Sequence, residues 1–439
     1  MNIKNVYIFG GGTVAHIANH FAITAPAYGK TARDIQRIMQ QDARWDSMNL
    51  QLRLTKMAGG DSLETNEDIA NEVEKLKADP NTKVIFFNCA LVDFTPAYLY
   101  SYKETRPTMG SGEDSLLNTE PNLVLEKFGK HYTRLDTKEI SILELGLVPS
   151  YKIIPSIRQG RKDIFLVGFK TTCGATKQEM YEKGLRLCKE GSVNLVLVND
   201  TKTRWNFIIC PEEAVYCETQ DREKVLRELI DITWYRTQMS FVQSTVVEGN
   251  PVSWLDSRIP NSLREVVNYC IKGKAYKPFH GKTAGHFAIK LSDTEFITSI
   301  RKTNLNDLEK TGMVYIRTDT PDTVTAYGAK PSVGGQSQRI VFRDHPGFDC
   351  IVHFHSPLKE NHRDKIPVAS QRNFQCGAIE CGINTSNNLG IFNDGKIKAV
   401  MLDNHGPNIV FNKDIDPKEV IEFIERNWDL SKKTGGYNL

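Results

Sequence analysis

Through the first half of the chain, short apolar runs alternate with amphipathic stretches. Val6–Phe9, Val84–Phe87, Ile164–Val167 and Leu195–Val198 are almost wholly aliphatic or aromatic, the pattern of strands covered on both faces in a parallel sheet. Between them, Ala32–Gln41, Asn66–Lys77 and Lys177–Lys189 read as helices, with Thr65 and Asn66 offering side-chain oxygens as caps. This alternation predicts an open α/β sheet. Thr237–Pro260 holds the turn-forming pieces Glu248-Gly-Asn-Pro251 and Ser257-Arg-Ile-Pro260 and reads as a linker or edge segment. Asn261 is then expected to cap a helix, Ser262–Lys272, that opens the second half. The polar, turn-rich stretch Glu113–Lys130 reads as an insertion.

In the second half the alternation carries chemistry. In Cys350-Ile-Val-His-Phe-His-Ser356 a strand puts His353 and His355 on one side and Phe354 on the other. His405 follows the apolar run Ala399–Leu402 and precedes Gly406, at the turn where a second strand ends. Three neutral imidazoles with one position left open is the donor set of a catalytic zinc or a comparable divalent ion. The competing reading is a group of hydrogen-bonded histidines. Cys376 and Cys381 add two soft donors nearby in sequence, alongside their alternative as small buried apolar residues, and His286 is a further polar residue of the same half.

Composition narrows the class. The chain has 439 residues, 40% of them hydrophobic and 25% charged, enough for two or three domains with separate cores. A net charge of +3 and the lack of a lysine/arginine run interleaved with aromatics speak against nucleic acid. The longest apolar stretches are strand-sized, so no membrane span is expected. The start enters a strand directly without a signal-peptide pattern, and nine cysteines without framework spacing suit a reducing compartment, so a cytoplasmic protein is expected. Gly10, Gly11, Gly12 and Thr13 follow the first strand, where backbone amides can cradle a phosphate, although a glycine run also serves any tight turn. Tyr28–Thr31 and His280–Thr283 end like phosphate-binding loops but lack the leading glycine.

From about Pro260 onward the chain resembles the class II aldolase/adducin family, on His353-Phe-His-Ser-Pro357 and Asn404-His-Gly406. The resemblance implies an α/β/α domain over residues 255–439 with a divalent metal, zinc or another, on His353, His355 and His405. Gly285–Lys290, Thr298–Lys302 and Pro331–Gly334 correspond to family segments in altered form, the first without its asparagine and serine, and Ser299, Arg301, Lys302 and Ser332 are candidates for a phosphate or carboxylate. Gly334 stands where the family's aldolases carry a glutamate acid/base. Glu380, in the glycine- and cysteine-bearing stretch between the histidine motifs, is the substitute candidate, with a surface carboxylate as its alternative.

Residues 3–235 resemble the phosphopantothenoylcysteine synthetase family, on Gly11-Gly-Thr13, Phe21–Lys30, Cys89–Phe94, Val167-Gly-Phe169 and Val198-Asn-Asp200. That implies a Rossmann-like nucleotide-binding domain over residues 1–240 that takes CTP or ATP, with Asn199, Asp200 and Phe207 among the contacts. Ala25 replaces the asparagine expected to hold an acyl phosphate, and Thr171-Thr172 replaces a Glu-Thr pair. Lys183, Arg186 and Lys189 are three cations on one helix, suited to phosphates or to a solvated face. The whole reads as a two-domain enzyme, ligase-like then lyase-like, with a small-molecule substrate and a homo-oligomeric assembly. The alternative is a binding or scaffold protein built on degenerate copies of both folds.

Overall fold

The computed structural model describes residues 3–102, 122–132, 134–135, 140, 142–241, 243–320 and 323–437, with backbone alone for 333–337. The chain forms two compact units, one of Met1–Phe169 with Glu190–Asn194 and one of Lys170–Lys189 with Leu195–Leu439. Residues 195–237 are grouped by their contacts with the second unit. Of the Glu113–Lys130 stretch, residues 113–121 lie outside the described residues.

In the first unit, Lys4–Gly12 runs parallel between Met48–Leu54 and Thr82–Ala90, and Thr82–Ala90 runs parallel to Phe165–Thr172. The apolar runs sit at the centre: Val6, Ile8, Val84, Ile85, Phe86, Leu166 and Val167 are fully buried. Helix Asn66–Ala78 starts with a reciprocal cap, Thr65 accepting from the Asp68 amide and Asp68 from the Thr65 amide. A separate antiparallel sheet of Phe94–Tyr102, Asn122–Leu125 and Ile142–Pro149 also belongs to this unit.

The second unit carries a three-stranded meander and a larger sheet among its described elements. Leu195–Asp200, Asn206–Ile209 and Val215–Thr219 form an antiparallel meander followed by helix Arg222–Thr237. The larger sheet has ten strands and is mostly antiparallel, with His286–Lys290, Cys350–His353, Gly406–Phe411 and Ile397–Leu402 adjacent at its centre. Alternation sends Phe287, Ile289, Val352 and Phe354 to one core with helices Asn261–Lys272 and Pro417–Asn427. Ala288, Ile351 and Val410 go to the other, beneath helix Val333–Asp344, with Ile379 of helix Ile379–Asn387 packed against it. Both faces are covered, which is the expected α/β/α layering. The Thr237–Pro260 stretch is an edge rather than a free linker: Gln243–Val247 pairs with Thr323–Tyr327, and Val252, Trp254 and Ile259 are buried. Asn261 is the first helical residue after Pro260 at the N-cap, and no side chain caps this helix.

Arg236 ties the meander to the larger sheet's loops. It is fully buried, pairs with buried Glu212 at 2.7 Å, donates to the Arg372 carbonyl at 3.1 Å and lies over the Tyr216 ring. Arg372 in turn pairs with Glu228 and Asp231. Removing one member of a buried pair strands the other charge. We therefore expect Arg236→Met to lower unfolding free energy by about 3–5 kcal/mol, and Arg236→Met/Glu212→Met to recover much of that loss, measured by urea denaturation.

Candidate metal centre

The site is assembled on the sheet's centre. His286, His353 and Asn408 occupy one cross-strand row, His286 opposite His353 and His353 opposite Asn408. All three share the face of Ala288, Ile351 and Val410 by strand alternation. The regular strand ends at His353, and the chain continues extended so that Phe354 enters the opposite core while His355 returns to the first side. His405 arrives from the turn between Ile397–Leu402 and Gly406–Phe411. Asn404 takes the left-handed conformation at φ 57°, which asparagine tolerates better than most residues. Gly406 has φ 150°, and a side chain there would overlap the Phe354 carbonyl. Glycine at this position is what lets the His405 turn close on the backbone between His353 and His355.

The three imidazoles converge. Ring centroids are 5.1 Å apart for His353 and His355, 4.6 Å for His353 and His405, and 4.7 Å for His355 and His405. One nitrogen from each lies within 4.8 Å of the others. His353 Nδ1 hydrogen-bonds to the Pro407 carbonyl at 2.7 Å, which makes Nδ1 the protonated nitrogen and leaves Nε2 as a lone-pair donor. This is the outer-sphere contact that orients a ligating histidine. His353 Nε2 and His355 Nδ1 are buried without a hydrogen-bond partner among the described residues. Burial of bare polar atoms is costly, and a cation shared by three imidazoles would satisfy them. The donor set therefore fits a divalent ion of the zinc type.

Electrostatics keep the ligands neutral. Burial pushes His353 down to about 4, with the Pro407 carbonyl opposing. Burial and then His353 hold His286, His355 and His405 well below the usual imidazole value. A cavity beside the triad is lined by His286, Gln338, His353, Cys376, His405 and Asn408 among others. The Cys376 sulfur is 3.3 Å from His405 Nε2, and the Gln371 amide donates to the Cys381 sulfur at 3.3 Å. The His286 ring is 4.7 Å from that of His353.

Other expected site residues are placed as follows. Glu380 turns away from the imidazoles: both its oxygens accept from the Ser240 amide, at 3.1 and 3.0 Å, and it does not line the cavity. Gly334 is helical, in Val333–Asp344. Ser299 is fully buried, with its hydroxyl unpartnered among the described residues, and its carbonyl accepts from the Ser332 amide at 2.9 Å. Arg301 and Lys302 are exposed, and Lys302 is left-handed at φ 62°. Desolvation, then the charges of Arg301, Lys282, Lys189 and Lys330, holds the Lys302 ammonium below its usual value.

In the first unit, Gly10, Gly11, Gly12 and Thr13 are buried, and the first three end the strand itself. The Gly12 amide donates to Ala27 and the Thr13 amide to Ala90, so this is a packed turn and not an open cradle. The glycines admit close neighbours: Ala32 beside Gly10, Thr55 beside Gly11 and the Ala25 carbonyl beside Gly12. In the second unit, Asp200 accepts from the amides of Gly174, Ala175, Lys202 and Thr203 and from Thr172. Burial opposes its charge, but these donors hold its carboxyl well below the usual range. Asn199 accepts from Thr171 at 3.4 Å. Phe207 is fully buried and stacked on Tyr437. Lys189 pairs with Glu213 at 2.9 Å, and Arg186 reaches His280.

No family model and no curated protein matches the chain. Solved structures similar to it fall into two groups that cover different parts of it. One includes a DNA/pantothenate metabolism flavoprotein from Streptococcus pneumoniae, 18% identical over 52% of this chain and 97% of that one, at a TM-score of 0.40. It also includes the C-terminal domain of a coenzyme A biosynthesis bifunctional protein, 15% identical over 53% and 94%, at 0.34. The other includes an L-fuculose 1-phosphate aldolase, 17% identical over 39% and 85%, at 0.29.

Sequence reasoning passed over the polar cavity residues Gln338, Thr385 and Asn408. Gln338 is buried and accepts from Thr298, and Asn408 is buried beside His353. Asn408 had a signal, a lone amide within Pro407-Asn-Ile-Val-Phe411. Gln338 had none, because its helix reaches the site only through packing.

The lowered imidazoles set a pH dependence. Folded values lie below the about 6.5 of a free imidazole, so the unfolded chain binds protons first as pH falls. Metal-free protein is then fully stabilised by these groups above about pH 6.5 and loses that stability towards about 4, the value at His353. Thermal unfolding of chelator-treated protein between these limits is expected to show this slope, reduced in His353→Asn.

Proposed function

We propose that the chain is a divalent-metal-dependent enzyme acting on a small anionic metabolite, phosphorylated or carboxylated, at the three-histidine centre. The observation that carries this is the pair of buried, unpartnered nitrogens on His353 and His355 facing His405. A metal bound there supplies a Lewis acid that polarises a carbonyl or acidifies a bound water. His353, His355 and His405 would hold it. Pro407 fixes the His353 tautomer through its carbonyl. Arg301 and Lys302 would supply positive charge for the substrate's anionic group, and the buried, unpartnered Ser299 hydroxyl is the further candidate donor. Proton transfer beside the triad falls to His286 and Cys376, which line the same cavity.

A binding or scaffold role is the second reading. What favours it is that none of the cavity's described lining residues is a carboxylate, with Gly334 in a helix and Glu380 engaged by Ser240. In the first half, the Gly12 and Thr13 amides bond to Ala27 and Ala90, Asp200 accepts from surrounding amides and Phe207 stacks on Tyr437, so the metal reading does not depend on CTP or ATP.

Elemental analysis separates the readings. Wild-type protein is expected to carry about one zinc or comparable ion per chain, and His353→Ala/His355→Ala essentially none. Equal content in both would overturn the metal centre. Glu380→Gln is expected to keep the wild-type content, because its carboxylate serves the Ser240 amide.

A further inference from the structure

Two of the three imidazoles sit on backbone that the sheet does not hold. Ladder pairing on either side of the central strand stops at His353, opposite His286 and Asn408, so His355 lies two residues beyond it. His405 belongs to the turn between two strands, secured within that turn by its own amide on the Leu402 carbonyl. A metal site demands ligand placement to within about 0.5 Å. Something else must restrain these two segments.

The segment Asp429–Tyr437 touches both. The Asp429 amide donates to the Pro357 carbonyl at 3.0 Å, and the Thr434 amide donates to the His355 carbonyl at 3.1 Å. Gly435, left-handed at φ 76°, packs so closely on the Asn404 carbonyl that any side chain would overlap it, and Asn404 directly precedes His405. The segment therefore meets the backbone of one ligand and the immediate neighbour of another within two consecutive residues.

It is anchored on either side of that contact. Lys277 donates to the Leu430 and Lys432 carbonyls, at 2.9 Å each. Lys433, 4% exposed, pairs with Glu213 at 2.7 Å and donates to the Tyr181 hydroxyl. Burial works against the Glu213 charge, but Lys189 and Lys433 pull its carboxyl down to about 2, so the clamp is ionised at neutral pH. Beyond the contact, the Gly435 carbonyl accepts from Val215. Tyr437 stacks on Phe207 at 5.8 Å with planes 17° apart, and its hydroxyl donates to Glu218 at 2.7 Å.

We infer that Asp429–Tyr437 is a strap that positions His355 and His405, and that Lys433 and Tyr437, which touch neither imidazole, set the metal affinity of the centre through it. The inference rests on the metal reading above. Contacts of this outer kind are worth about 10- to 100-fold in metal affinity.

Full-length protein titrated with Co(II), followed by visible absorption, tests it, with far-UV circular dichroism as the check on folding and hydrogen exchange as a second readout. Tyr437→Ala is expected to weaken Co(II) binding about tenfold and to speed amide exchange in peptides spanning 353–357 and 403–406. Tyr437→Phe keeps the stack and is expected to restore most of the affinity. Should Tyr437→Ala fail to fold, Lys433→Met carries the same expectation. Folded variants with wild-type Co(II) affinity and wild-type exchange in both peptides would overturn the strap. A wild type that binds no Co(II) would sink the metal reading instead, and the strap would then stand or fall on the exchange result alone.

Discussion

The hydrogen bond from His353 Nδ1 to the Pro407 carbonyl decides which nitrogen faces the cavity. A free imidazole interchanges tautomers, and a buried one must commit, because one nitrogen donates and the other only accepts. Pro407 sits at the start of the neighbouring strand, so the same pairing that joins Cys350–His353 to Gly406–Phe411 sets this choice. His286 and Asn408 flank His353 in register, and the ring cannot turn without disturbing that row.

The centre is expensive to build without a ligand. Four imidazoles, two amides and two thiols share a largely buried space with few hydrogen bonds among them. Burial keeps the imidazoles neutral and so removes charge repulsion, yet it leaves lone pairs unsatisfied. A fold retains such an arrangement where something recovers the cost, and a cation does so for all three donors at once.

Two adjacent buried acids elsewhere in the second unit each meet cations. Arg236 meets Glu212, while Lys189 and Lys433 share Glu213. Both acids come from one turn, Glu212-Glu213, with Glu213 left-handed at φ 73° so that adjacent carboxylates serve different partners. One partner comes from helix Arg222–Thr237 and the others from helix Lys177–Glu190 and the strap. That turn ties residues 195–237 to the compact unit that carries the three histidines.

Much of this was open to reading from local pattern. Continuous apolar runs marked the buried parallel strands, and strict alternation placed Phe354 in one core and His353 on the other side, because strand geometry is a property of neighbouring residues. Asn404-His-Gly406 announced a turn that could carry a ligand, since asparagine and glycine tolerate the backbone it needs. What depended on distant partners was not legible. Glu380 lay beside two cysteines in sequence but faces Ser240, 140 positions away. Gly10–Gly12 looked like a phosphate turn, yet their amides and missing side chains accommodate other parts of the same unit. Phe207 and Asp200, which the family resemblance placed among nucleotide contacts, meet Tyr437 and surrounding amides in this structure. The sequence by itself determined which residues could carry metal chemistry and which face of a strand they share, because both follow from side-chain type and a two-residue period. Tertiary structure alone decided which of those groups were left without partners, because a hydrogen bond or an ion pair is settled by what packs alongside.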